Sequence, residues 1–170
     1  MFARGTTELY PGTPYTLAEV VAEKINLSSN YESIIYPAVS EDTSDGYFLG
    51  RAAVGRQVTA YAEACPGSQV VLLSYSQGAM IVGDAMAGGG SNATLGDPTP
   101  PLISEEVSKH ITADVFYGNP RHVSTEPYDF GTCRGGWSAF GFDILRVALW
   151  VRMTDNHQGH RIKAPSGSSC

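Results

Sequence analysis

Apolar positions along the chain alternate between helical spacing and short continuous runs. Residues 16–25 (TLAEVVAEKI) carry the helical spacing, with Thr16 as a candidate N-cap and Glu19 three residues on. A β-rich run follows at 32–36 (ESIIY), closed by Pro37; residues 40–46 are polar, end in glycine and read as a loop. Residues 47–64 return to helix, with Val54, Val58, Tyr61 and Ala62 on one apolar stripe before Pro66-Gly67 stops it. Residues 69–75 (QVVLLSY) form a near-continuous apolar run of strand length, the pattern of a central parallel strand buried on both faces. Helix resumes at 77–87 and stops at three glycines, 88–90. A proline-rich loop at 97–101 leads to a predicted helix at 104–110, capped by Ser104. Residues 111–117 (ITADVFY) read as a second buried strand, ended by Gly118-Asn119-Pro120. Helices alternating with apolar strands predict a parallel α/β sheet covered on both sides. From about Arg134 onward no clean alternation is legible.

At 170 residues, 42% hydrophobic and 16% charged, the chain suits one domain with a real core. A net charge of −6, with no Lys/Arg run, argues against nucleic-acid binding. No apolar run approaches the roughly 20 residues of a membrane span. Residues 144–153 come nearest, but Arg146 and Arg152 interrupt them. The first ten residues lack the basic start and apolar block of a secretory signal. Cys65, Cys133 and Cys170 allow at most one intramolecular pair, and their spacing matches no metal motif. Two sequons, Asn26-Leu27-Ser28 and Asn92-Ala93-Thr94, are usable only in a secretory lumen. Trp137 and Trp150 alone do not make the aromatic row of a carbohydrate-binding module.

The strongest chemical signal is Ser74-Tyr75-Ser76-Gln77-Gly78, between the strand 69–75 and the helix 77–87. A sharp strand-to-helix turn lifts a serine hydroxyl above the sheet edge, and small residues two before and two after it permit the turn. The first N–H of the helix, that of Gln77, then points at a developing oxyanion. A plain helix N-cap is the competing reading of Ser76. The glycine patterns of nucleotide-binding loops are not present.

At these residues the chain resembles the fungal cutinase and acetylxylan esterase family. The likeness runs through Phe2-Ala3-Arg4-Gly5-Thr6-Thr7-Glu8, the stretch 64–79 around Ser76, Gly88-Gly89-Gly90, Phe116-Tyr117-Gly118-Asn119-Pro120-Arg121 and Gly131-Thr132-Cys133. It implies a single cutinase-like hydrolase domain over 1–170, well matched over 1–133 and divergent over 134–170. The implied fold is a three-layer α/β/α sandwich on a mostly parallel sheet, of α/β-hydrolase type, with the N-terminal strand truncated at Met1. It implies Ser76 as nucleophile and Thr6 and Gln77 as the oxyanion hole, with no cofactor and no metal. It implies a secreted monomer acting on cutin-like polyester, acetylated xylan or short-chain esters. In the family a cysteine earlier in the chain pairs with the equivalent of Cys65, and here that position is not reached.

The expected chain order is serine, then acid, then base. Asn156-His157-Gln158-Gly159 resembles the segment around the family's catalytic histidine, which makes His157 the candidate base. His160 is its neighbour; His122 follows the strand 111–117, and His110 ends a predicted helix, where a structural role is expected. Asp143 is the better candidate acid, because Asp155 is only two residues from His157; Asp114 and Asp129 have no special claim. The family's aspartate between cysteines has no equivalent in the short stretch before His157. Two readings follow: an esterase working through an acyl-enzyme on Ser76, or an impaired family member without a working acid–base pair.

Overall fold

The computed structural model describes residues 1–39, 44–90 and 95–123, residues 44–45 by backbone alone, and the backbone of two further strands at 129–130 and 147–151. The elements are β1 (Phe2–Ala3), α1 (Pro14–Lys24), α2 (Ser44–Ala64), β2 (Val70–Tyr75), α3 (Gln77–Ala87), α4 (Glu105–Ser108), β3 (Ile111–Tyr117), β4 (Asp129–Phe130) and β5 (Val147–Val151). They form one sheet of order β1-β2-β3-β5-β4. β1, β2 and β3 are parallel, while β5 runs antiparallel to β3 and to β4.

Alternation along β2 builds the two outer layers. Val70 and Leu72 point to one face, where Val54 and Val58 of α2 and Met80, Ile81 and Val82 of α3 complete the larger core. Leu73, with Val71 beside it, points to the other face and packs on Phe2 and on Ala18 of α1. A parallel strand covered on both sides has to be apolar throughout, which is why residues 69–75 read as continuous rather than alternating.

Several boundaries differ from the pattern-based expectation. Helix α1 starts at Pro14, two residues before Thr16, because proline is preorganised for the first helical position. Thr13 holds the cap position, but its hydroxyl is bonded to Glu8 rather than to the helix. The run 32–36 makes only one bridge, Ser33 to Phe2, although Ile34 and Tyr36 are buried. Residues 44–46, expected as loop, are the first turn of α2. Helix α4 is a single turn; Ser104 does cap it, accepting from the Val107 N–H at 3.3 Å, but the His110 carbonyl is taken by Val70 N–H in the sheet. The tail without legible alternation supplies β5, and β4 lies just before it.

Candidate functional site

The three parallel strands end on one edge of the sheet, the edge where α/β proteins bind ligands. At the end of β2 the last rung pairs Tyr75 with Tyr117, and the Ser76 N–H still donates to the Tyr117 carbonyl at 2.8 Å. One residue later the chain is helical: the Ser76 carbonyl accepts from Ala79 N–H at 2.9 Å and Met80 N–H at 3.2 Å. A reversal that abrupt places Ser76 at φ 52° and ψ −121°, a left-handed region that a side chain rarely adopts. Its hydroxyl makes no capping hydrogen bond, so the plain N-cap reading does not describe it. Ser76 is half-buried.

The residues flanking Ser76 are chosen by space. Ser74 is fully buried and its hydroxyl donates to the Val115 carbonyl at 3.1 Å. Gly78 lies against the chain leaving β1: a Cβ there would stand 2.3 Å from the Ala3 carbonyl oxygen and 2.6 Å from that of Arg4. No side chain fits, and that close approach brings the loop after β1, which carries Gly5 and Thr6, to the first turn of α3. Gly5 itself lies against the Tyr75 ring. Thr6 is half-buried, and the next residue, Thr7, has φ 60° and donates its N–H to the Ala38 carbonyl at 2.6 Å.

Gln77 is completely buried, and its side-chain amide donates to the Val39 carbonyl at 2.9 Å. The helix geometry leaves the first N–H groups of α3 without intrahelical partners, and they open toward the same edge. Segment 36–39 therefore stands between the Thr6 loop and Gln77 and touches both. Sequence reasoning missed this segment. Its contribution is made by carbonyl oxygens, so no residue type could have announced it. Beside Tyr75 and Tyr117, on the α1 side, a mostly apolar cavity of about 400 Å³ is lined by Thr13, Pro14, Thr16, Leu17 and Val20.

The candidate acid and base are not brought to this edge by anything described: His157, His160, Asp143 and Asp155 all lie outside the described residues. His122 follows β3 at the Ser76 end of the sheet, its N–H on the Asn119 carbonyl at 3.0 Å. His110 sits at the opposite end, with Nδ1 3.2 Å from the Ser68 carbonyl. Asp114 is buried in the middle of β3, and desolvation raises its pKa to about 8. Among the described residues no three His, Cys, Asp or Glu side chains group as metal ligands, and no helix is long and apolar enough to cross a membrane.

A sheet with parallel central strands and helices on both faces, bearing a strained serine where a buried strand turns into a helix, defines the α/β-hydrolase fold class. The family model described as Cutinase matches residues 1–162, and the chain belongs to that family. It is 34% identical over 113 residues to Cutinase 11 of Verticillium dahliae, covering 62% of this chain and 38% of the relative. It is 34% identical over 120 residues to an acetylxylan esterase of Hypocrea jecorina, 66% of this chain and 38% of the relative. The chain thus spans less than half the length of these two curated relatives. Among solved structures it superposes on the catalytic core domain of acetyl xylan esterase from Trichoderma reesei with a TM-score of 0.71 and 29% identity, covering 78% of this chain and 68% of that one. An acetylxylan esterase structure at 0.90 Å resolution gives a TM-score of 0.73 and 30% identity, covering 84% and 74%.

Proposed function

We propose that this protein is a serine carboxylic ester hydrolase that works through an acyl-enzyme on Ser76. The Ser76 hydroxyl attacks the ester carbonyl and gives its proton to a histidine, for which His157 is the candidate, oriented by Asp143. The carbonyl oxygen becomes an oxyanion facing the backbone N–H of Gln77 and the N–H and hydroxyl of Thr6. Collapse expels the alcohol, which takes the proton from histidine; water then repeats the sequence on the acyl-serine and restores the hydroxyl. Proton transfer and oxyanion binding suffice, so the reading needs no cofactor. Membership of the cutinase family supports ester substrates. Within that class the reading takes cutin-like polyester, acetylated xylan or short-chain esters as the substrates to test.

The observation that carries the reading is the Ser76 backbone. A serine that merely capped α3 would bond to it from an unstrained conformation, whereas this one is strained and uncommitted. We further propose a secreted, monomeric glycoprotein. The Asn26 sequon is exposed just past α1, and Asn92 lies outside the described residues. The test is labelling by a fluorophosphonate probe together with p-nitrophenyl acetate turnover. Label on Ser76 and a burst of p-nitrophenol support the reading; an unlabelled chain with no burst rejects it.

One observation favours the second reading, an impaired family member. Val147 pairs with Tyr117 near Ser76, but Val151 pairs with Ala113, near the other end of β3. The rise along those four residues is about 13 Å, and the six residues from Val151 to His157 extend at most about 22 Å. His157 can face Ser76 only if the chain reverses after Val151 and spends more than half of that reach on the return.

A further inference from the structure

Arg4 is 5% exposed, and the esterase reading gives it no part in the chemistry. Its guanidinium carbon lies 3.6 Å from the centroid of the Tyr10 ring and 4.9 Å from that of Tyr36. Its Nε donates to the Glu8 carbonyl at 2.7 Å, within its own loop, and its Nη2 donates to the Tyr36 carbonyl at 2.7 Å, across the gap. The Tyr36 hydroxyl returns a short hydrogen bond to the Arg4 carbonyl. The Tyr10 hydroxyl accepts from Tyr36 N–H at 2.8 Å and donates to the Tyr36 carbonyl at 3.0 Å. Glu8 closes the loop on itself, its carboxylate accepting from Gly5 N–H at 2.5 Å.

These contacts converge on two backbone segments, and both lead to the proposed oxyanion donors. One segment, 4–8, contains Thr6. The other, 36–39, accepts from Thr7 N–H through Ala38 and from the Gln77 side chain through Val39. We propose that Arg4 is a positioning residue of the oxyanion hole, its stacked guanidinium tying the Thr6 loop to the segment that anchors Gln77. The proposal rests on the esterase reading, since it gives Arg4 a reason to be rigid. Only a planar fork can stack between two rings while donating to two carbonyls; a lysine ammonium cannot do both.

The test uses the full chain with p-nitrophenyl acetate, comparing the parent with Arg4→Lys, Tyr10→Phe, Thr6→Val and the Arg4→Lys/Thr6→Val double variant. Losing one oxyanion donor costs roughly 10²–10³ in kcat, and a displacement of about 1 Å can cost about 10². The expectation is that Arg4→Lys lowers kcat by about tenfold to a hundredfold while KM stays within about twofold. The double variant should lose less than the product of the two single losses, because both act on one donor. Folded Arg4→Lys with unchanged kcat overturns the proposal, and so do losses that simply multiply. If Arg4→Lys does not fold, Tyr10→Phe decides: it keeps the ring under Arg4 and removes the hydroxyl's two hydrogen bonds to Tyr36, so a fall of about threefold in kcat supports positioning and an unchanged kcat rejects it. A parent chain that neither turns over substrate nor takes the fluorophosphonate label overturns the esterase reading and this proposal with it. An active parent with an indifferent Arg4 overturns this proposal alone.

Discussion

Ser76 is held where glycine would rest at ease and serine does not. A non-glycine residue in that region costs about 1–3 kcal/mol, whereas glycine's greater freedom in the unfolded chain costs about 0.5–1 kcal/mol. The first term is larger, so Ser76→Gly should stabilise the fold, raising Tm by a few degrees in calorimetry. Removing the nucleophile should at the same time cut ester turnover by about 10⁶. A Tm that falls would mean the elbow is not strained. Part of this was legible in the chain: residue 76 is where continuous burial gives way to helical spacing. The absence of a cap bond and the sign of φ were not, because both depend on how Tyr117 and Ala3 crowd the turn.

At the scale of elements, α2 and α3 are joined by a buried polar cluster as well as by their apolar stripes. Asp84 of α3 is 5% exposed; its Oδ2 accepts from the Tyr47 hydroxyl of α2 at 2.6 Å and lies 2.9 Å from Arg121 Nε, on the loop after β3. Arg51 of α2 donates to the Asp84 carbonyl at 2.9 Å, and the Tyr47 hydroxyl also accepts from Gly90 N–H at 3.0 Å. The middle residue of the glycine run 88–90 is explained here: a Cβ on Gly89 would stand 2.3 Å from the Tyr47 hydroxyl. Tyr47→Phe takes one of two partners from Asp84 Oδ2, leaving Arg121, and strands the Gly90 N–H in a buried place, which together cost about 2 kcal/mol. For a chain of this length the expected fall in Tm is about 4–8 °C. Denaturant unfolding should report the same loss with an unchanged slope. A change below about 1 °C would mean that water replaces the hydroxyl. The helices were readable from their periodicity, but the cluster was not, because Tyr47, Asp84 and Arg121 are brought together only when the layers close.

For the whole molecule, the consequential buried ionisable group is Asp114, at the centre of the sheet. It is completely buried, and among the described residues neither carboxylate oxygen has a hydrogen-bond partner. Desolvation raises its pKa to about 8, against an unfolded value of about 3.9. Between those values the unfolded chain gives up a proton that the folded chain keeps, so stability from this group is complete below about pH 4 and is lost as pH rises toward 8. Asp114→Asn removes that dependence. The Tm of the variant minus that of the parent should therefore grow steadily from pH 4 to pH 8 and level off above it, and a constant difference would show a partnered carboxylate. By itself the sequence determined the order of the central elements, the β2–Ser76–α3 junction and the family likeness, since burial on both faces and helical spacing are properties of neighbouring residues. Only the tertiary structure decided which loop faces Ser76, which way β5 runs, and that Arg4 and Asp114 lie inside. Those outcomes rest on main-chain contacts and enclosure between segments distant along the chain, and such contacts ask little of residue type.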